Sequence, residues 1–231
     1  MAPLRSKLSS AILEQGRELG PSDRLVMQAT LNHPVRALHT RGDEFPDYAN
    51  SEAVQERVAE RSLDLGFIEG DSHLPLLVHD LCCEDELRVV CAPTHALAKA
   101  ASVEPKLLTE HAYISREPGS GTREVVDHYL QKAGLAPDSL QVVMEASSPE
   151  ALKGMVATGL GFAIMSRVTV AKEVRLGELV EIALSPPLVR QLAVVYPRER
   201  FHSRLIEGFL QFAKQRLAAL QTADCRGSRA A

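Results

Sequence analysis

Ser115-Arg116-Glu117-Pro118-Gly119-Ser120-Gly121-Thr122-Arg123 leaves a strand-like run, Ala112-Tyr113-Ile114, and leads straight into a helical pattern from Glu124 to Gln131. Such a loop places backbone N–H groups, hydroxyls and two guanidinium groups around the N-terminus of a helix, where partial positive charge collects. The glycines let the backbone turn with positive φ and approach a ligand closely, and Ser120 or Thr122 can accept from the first free N–H groups of the helix. The stretch reads as an anion cradle. It is not a P-loop, because no Gly-Lys-Ser/Thr follows. Nor is it a nucleophile elbow, because Pro118 and Thr122 stand where flanking glycines would be needed around Ser120.

A second start of this kind lies at Glu145-Ala146-Ser147-Ser148-Pro149-Glu150-Ala151-Leu152-Lys153, after a strand-like Leu140 to Met144. Ser147 with Glu150 would make a capping box; with Ser148 as cap, Pro149 takes the first helical position that proline favours. Leu152, Met155, Val156 and Gly159 then follow at helical spacing, with Gly159 closing the helix. Two capped helix starts after adjacent strands matter because ligands in open α/β sheets bind outside the carboxyl ends of strands. Gly159-Leu160-Gly161 leads into the apolar Phe162 to Met165 as a tight turn, and Ile164 stands where a dinucleotide fingerprint needs its third glycine.

Further strand-like runs (Leu63 to Ile68, Leu87 to Cys91, Leu179 to Leu184, Gln191 to Tyr196) alternate with helix-period segments such as Ala53 to Ala59, capped by Asn50-Ser51, and Leu205 to Leu217. That alternation predicts an α/β fold with a mainly parallel sheet. The 231 residues are 45% hydrophobic and 24% charged, the composition of an ordinary globular chain long enough for one large domain or two small lobes. No apolar run approaches the ~20 residues of a membrane span, and the first residues lack a signal peptide's apolar region, so the expected location is cytoplasmic. The net charge of −4 and the lack of a compact helical DNA-binding pattern argue against direct DNA binding. Cys82, Cys83, Cys91 and Cys225 have no paired spacing for zinc or disulfides, and His73 and His79 match no metal signature. No metal and no cofactor are expected.

The succession Arg61-Ser-Leu-Asp-Leu-Gly-Phe-Ile-Glu-Gly70, Glu86-Leu-Arg-Val-Val-Cys-Ala-Pro93, the Ser115 to Arg123 loop and Glu145 to Arg167 resembles the effector-sensing domain of LysR-type transcriptional regulators. Within that family it looks closest to the branch governing sulfur and carbon assimilation, and the resemblance covers roughly Asn50 to Leu217. It implies a type II periplasmic-binding-protein-like fold, two α/β lobes joined by two crossover segments. The implied division is 23–91 with 166–218 for lobe I and 92–165 for lobe II. The implied crossings lie near Val90 to Pro93 and Ser166 to Thr169. Residues 1–22, with Leu4, Leu8, Ile12 and Leu19, form a possible linker helix, and 219–231 a disordered tail. The family opens its sensor with a strand and a long helix. Here Arg24 to Thr30 supplies a strand followed at once by Asn32-His33-Pro34 and Val35 to Thr40, with Gly42 to Tyr48 as an inserted loop.

By resemblance, the ligand-binding residues are Ser115, Arg116, Gly119, Ser120, Gly121, Thr122, Arg123, Ser147 and Ser148, with Glu69 facing the cleft from lobe I. Arg123 is expected to grip a carboxylate, sulfate or phosphate oxygen. The implied role is sensing without catalysis: a small anionic metabolite binds between the lobes and shifts a homodimer or tetramer arrangement. DNA is reached only through a helix-turn-helix domain that this chain does not contain. The competing readings are a stand-alone solute-binding protein of the same fold and a truncated regulator that acts by pairing with full-length copies.

Overall fold

The computed structural model describes residues 49–198 and 210–211. Its axis is one long strand. β1 (Gly66–Glu69) and β2 (Leu77–Cys91) are followed by β3 (Ser102–Val103), β4 (Ala112–Arg116), β5 (Gln141–Ala146), β6 (Ala163–Ser166), β7 (Val180–Leu184) and β8 (Leu188–Pro197). The helices are α1 (Ser51–Ala59), α2 (Pro105–Leu108), α3 (Gly121–Lys132), α4 (Pro149–Ala157) and α5 (Arg167–Leu176).

The first part of β2 runs antiparallel to β8, from Leu77 opposite Pro197 to Leu87 opposite Leu188, with a register shift between Leu81 and Cys83. From Leu87 onward its partners become β6 and then β7, both antiparallel. β1 covers the other edge of β8, and β3 pairs parallel with β7. β4 and β5 form a separate parallel pair, tied to the start of β6 by Ile114 N–H donating to Phe162 O at 2.8 Å. Among the described residues antiparallel ladders therefore dominate, and the expected mainly parallel sheet is corrected. Alternation of helices and strands carries no information about strand direction where two long strands pass each other between lobes.

The burial pattern of β2 explains its dual role. Asp85, Leu87 and Val89 point inward while Glu86 and Arg88 are half-exposed, the two-residue period of a sheet with one covered face. Val90 and Cys91 are then both buried, where helices cover both faces. The polar stretch before Asp85 conceals this strand from a search for apolar runs, so only its end, Leu87 to Cys91, is legible as a strand.

Among the described residues three apolar clusters hold the elements. Val54 and Val58 of α1 pack on Ile68, Ala193 and Val195. A second cluster joins Leu87, Val89, Val126, Leu130, Phe162, Ile164, Ile182 and Leu184. A third joins Val90, Ile114, Leu152, Val156, Met165, Val170 and Leu179. Each such side chain contributes roughly 1.5–3 kcal/mol by leaving water. Residues 167–184 thus pack with β4, α3 and α4, not with α1.

The strands legible in the sequence lie where expected to within a few residues, as do α1, α3 and α4. The expected linker helix over 1–22, the Arg24 to Thr30 strand, the Gly42 to Tyr48 loop and the 219–231 tail lie outside the described residues. So does most of Leu205 to Leu217, of which Leu210 and Gln211 are helical.

Candidate functional site

Two helix starts and one strand end meet at the site. At the start of α1, Asn50 caps the helix by accepting from Ala53 N–H at 3.0 Å, and its Nδ2 donates to Pro118 O at 3.1 Å. Glu52 N–H donates to Gly119 O at 3.2 Å. Ser51 Oγ holds the backbone of Glu69, accepting from its N–H at 3.0 Å and donating to its carbonyl at 3.3 Å. The Pro118–Gly119 turn is possible because Gly119 has φ +80°; a side chain there would be strained and would also run into Glu52 and Asn50. At Gly121, the first residue of α3, an added Cβ would fall 2.7 Å from Ser51 Oγ and within contact distance of the Glu69 carbonyl oxygen. Both positive helix ends therefore face the C-terminal end of β1.

Glu69 points its carboxylate into a buried polar cluster. Thr122 Oγ1 donates to Glu69 Oε2 at 2.6 Å, and Arg190 Nη1 reaches both Thr122 Oγ1 and Glu69 Oε2 at 2.6 Å. Arg190 Nε and Nη2 donate to Asp85 Oδ2 at 2.8 and 2.7 Å, and Ser166 Oγ donates to Asp85 Oδ1 at 2.8 Å. All five residues are buried, so these charges interact with little solvent screening. Burial pushes the Glu69 carboxyl up, but the Arg190 guanidinium, the Thr122 hydroxyl and the field of Arg116 outweigh it and leave the pKa below 4.5. Burial likewise works against the Arg190 charge, and Glu69 with Asp85 reverses that.

The other expected residues are placed as follows. Ser115 Oγ donates to the Arg116 carbonyl at 3.0 Å, and Arg116 grips Glu117 through Nε and Nη2 at 2.8 and 3.0 Å. Arg123 Nη1 donates to Glu145 Oε1 on β5 at 2.6 Å and to Arg116 O at 3.1 Å. Ser120 is the N-cap of α3 but makes no capping bond, and its buried Oγ has no hydrogen-bond partner. Ser147 is exposed, whereas Ser148 is the cap of α4, accepting from Ala151 N–H at 3.1 Å with Pro149 in the first turn. Ser148→Ala should cost about 1 kcal/mol in urea unfolding; a change below a few tenths would show that the cap bond is not formed in solution.

The LysR substrate binding domain pattern matches residues 47–218. This chain belongs to that family. The LysR domain is 37% identical over 164 residues to the uncharacterized HTH-type transcriptional regulator YeiE of Escherichia coli K12, covering 71% of this chain and 55% of YeiE. It is 31% identical over 205 residues to the RuBisCO operon transcriptional regulator of Acidithiobacillus ferrooxidans, covering 86% and 65%. The chain spans about half the length of curated relatives such as YeiE. Among solved structures it resembles the Synechocystis PCC6803 CcmR regulatory domain in complex with 2-PG, with 24% identity, TM-score 0.67 and coverage of 83% and 88%. It also resembles the QuiR effector binding domain in complex with shikimate, with 18% identity, TM-score 0.66 and coverage of 74% and 79%. The type II periplasmic-binding-protein-like α/β fold implied by the sequence is the fold of this LysR domain.

Sequence reasoning missed Arg190, Asp85 and Ser166. A signal was present: Arg190 interrupts an apolar strand at an inward-facing position, and a charge there needs a buried partner. Asp85 shares the inward parity of Leu87 and Val89 and lies directly opposite Arg190 in the β2–β8 register. Of the two histidines singled out in the sequence, His73 Nε2 pairs with Glu124 of α3 at 2.8 Å, and His79 Nε2 lies 3.2 Å from Gly70 O beside β1. Burial pushes the Cys83 thiol up to about 11, helped by Cys82 and Asp85, and pushes Cys91 up to about 11 as well. Both are thiols at neutral pH and poor nucleophiles.

Proposed function

We propose that this LysR domain is an effector sensor that binds a small anionic metabolite between its lobes and transmits occupancy to the arrangement of a homodimer or tetramer. The observation that carries the reading is the start of α3, where Thr122 meets the buried Arg190 guanidinium next to Ser120, whose buried Oγ is unpartnered. Preorganised donors of this kind match an oxyanion. Two structural neighbours hold small molecules, 2-PG in CcmR and shikimate in QuiR. Ser115, Arg116, Gly119, Ser120, Gly121, Thr122, Arg123, Ser147 and Ser148 remain the proposed ligand-binding set, with Glu69 facing the same cleft from lobe I.

We place lobe II at 92 to about 187, with the chain returning to lobe I along β8 instead of at Ser166 to Thr169, because β7 and α5 pack with α3 and α4. The proposed setting is cytoplasmic, without catalysis, with DNA contacted by a helix-turn-helix domain outside this chain. Among the described residues no helix is long and apolar enough to cross a membrane.

A ligand acts on such a domain only through its differential affinity for the closure states. Thermal unfolding of the 231-residue chain with sodium sulfate, sodium phosphate, 2-PG and shikimate tests the reading: an anion at a hundredfold above Kd adds about 2.7 kcal/mol of stability. Thr122→Ala and Arg123→Ala should each weaken the best probe about tenfold or more, the loss of one charge-assisted hydrogen bond. Unchanged affinity in both variants would move the site elsewhere.

A further inference from the structure

We propose that Glu69 is an internal stand-in for the effector: its carboxylate occupies the oxyanion position formed by Arg190, Thr122 and the start of α3, and an external anion binds by displacing it. This inference rests on the cleft reading above and assigns Arg190, not Arg123, as the principal anion-gripping guanidinium.

The geometry separates two jobs for the two carboxylates around Arg190. Asp85 lies across from Arg190 on the neighbouring strand and takes both Nε and Nη2 on one oxygen, while Ser166 holds its other oxygen. That is sufficient to fix the guanidinium plane and balance its charge. The remaining nitrogen, Nη1, extends to Thr122 Oγ1 and Glu69 Oε2, both at 2.6 Å. Glu69 is therefore a second carboxylate on a cation already paired, and the cluster of Glu69, Asp85 and Arg190 carries one buried negative charge in excess. An excess buried charge is unfavourable unless something compensates it, and here the compensation is a set of anion donors.

Those donors do not depend on Glu69 for their placement. Thr122 and Ser120 are set by the start of α3, and Ser120 Oγ is buried with its hydrogen-bonding capacity unspent. Arg116, held by Glu117, contributes a further positive field at the same point. A carboxylate, sulfate or phosphate oxygen offered the position would meet Arg190 Nη1 and the Thr122 hydroxyl, with Ser120 beside them.

The same exchange couples binding to shape. Glu69 closes β1 and is clamped by Ser51 of α1, so its side-chain bond to Thr122 ties the first lobe to α3. An anion that takes over Arg190 and Thr122 replaces that internal tie with its own, and so biases the lobe arrangement.

The test is isothermal titration of the full chain with sodium sulfate, sodium phosphate and 2-PG at constant ionic strength, comparing wild type with Glu69→Gln. Glutamine keeps the acceptor for Thr122 and removes the competing charge, so the anion that binds wild type should bind the variant about tenfold tighter or more. Glu69→Asp keeps the charge but shortens its reach and should tighten binding to a smaller degree, which provides a second reading where Glu69→Gln does not fold. Equal or weaker binding in these variants, with wild type still binding, would overturn the stand-in role and leave the cleft reading in place. Failure of wild type and variants alike to bind any of the three anions would overturn both.

Discussion

Arg190→Met should lower the unfolding free energy by about 3–5 kcal/mol, because it leaves two buried carboxylates with no cation between them. For a domain of this size the melting temperature should fall by roughly 6–20 °C. The pH dependence gives the cause. In wild type the Glu69 pKa is depressed in the folded state, so its stabilisation is present above the usual 4.5 and is lost as pH falls through the folded value. With Arg190 gone, burial dominates and the folded pKa rises above 4.5, so stability is retained at low pH and lost as pH rises through the new folded value. Urea unfolding should therefore show the largest deficit of the variant at neutral pH and a narrowing gap toward pH 4. The charge-free triple variant Glu69→Gln, Asp85→Asn, Arg190→Met should recover most of the loss, since removing a buried ionic group entirely is far milder than breaking it. A deficit below about 1 kcal/mol, flat with pH, would mean that the cluster is solvated in solution.

Gly121→Ala should destabilise by about 1–3 kcal/mol and abolish tight anion binding. Helix propensity alone argues the opposite sign, since alanine favours a helix over glycine by roughly 0.5–1 kcal/mol. The contact decides it. The new methyl would meet the Glu69 carbonyl and Ser51 Oγ, of which one is strand backbone and the other is already bonded to Glu69 on both sides. Neither can swing away, so α3 must withdraw from β1, and Thr122 with it. Gly154 of α4 is the control: it is exposed, a Cβ there meets nothing within 4 Å, and alanine should stabilise by the propensity difference. Opposite signs at the two glycines, read by urea unfolding, are the expected result; stabilisation at both would show that the lobes do not touch at Glu69 in solution.

The local elements are legible in the sequence, and the reason is range. Ser148-Pro149 and Asn50-Ser51 are defined by residues within one turn of each other, so the sequence shows where α4 and α1 begin, whereas α3 starts at Gly121, ahead of the Glu124 pattern, on a Ser120 that makes no capping bond. Apolar runs such as Phe162 to Met165 show buried strands by composition alone. β2 was half-hidden because its first ten residues carry His79, Asp80, Glu84, Asp85 and Glu86, polar groups suited to a strand that links two lobes. Arg123 shows the limit for the site: the loop places a guanidinium at the helix start, but nothing in the loop says that Glu145 of the neighbouring strand will hold it.

The family, the α/β elements and the glycine-rich loop from Ser115 to Arg123 are legible in the amino-acid sequence, because caps, turns and apolar runs depend on near neighbours in the chain. Only the tertiary structure decided the antiparallel ladders and the partners of the buried charges. Asp85 meets Arg190 across 105 residues, Thr122 meets Arg190 across 68 and Glu69 across 53. The physical reason is that a buried charge is stabilised by whichever opposite group strand register and lobe packing bring within 3 Å, and that choice is made by the fold as a whole.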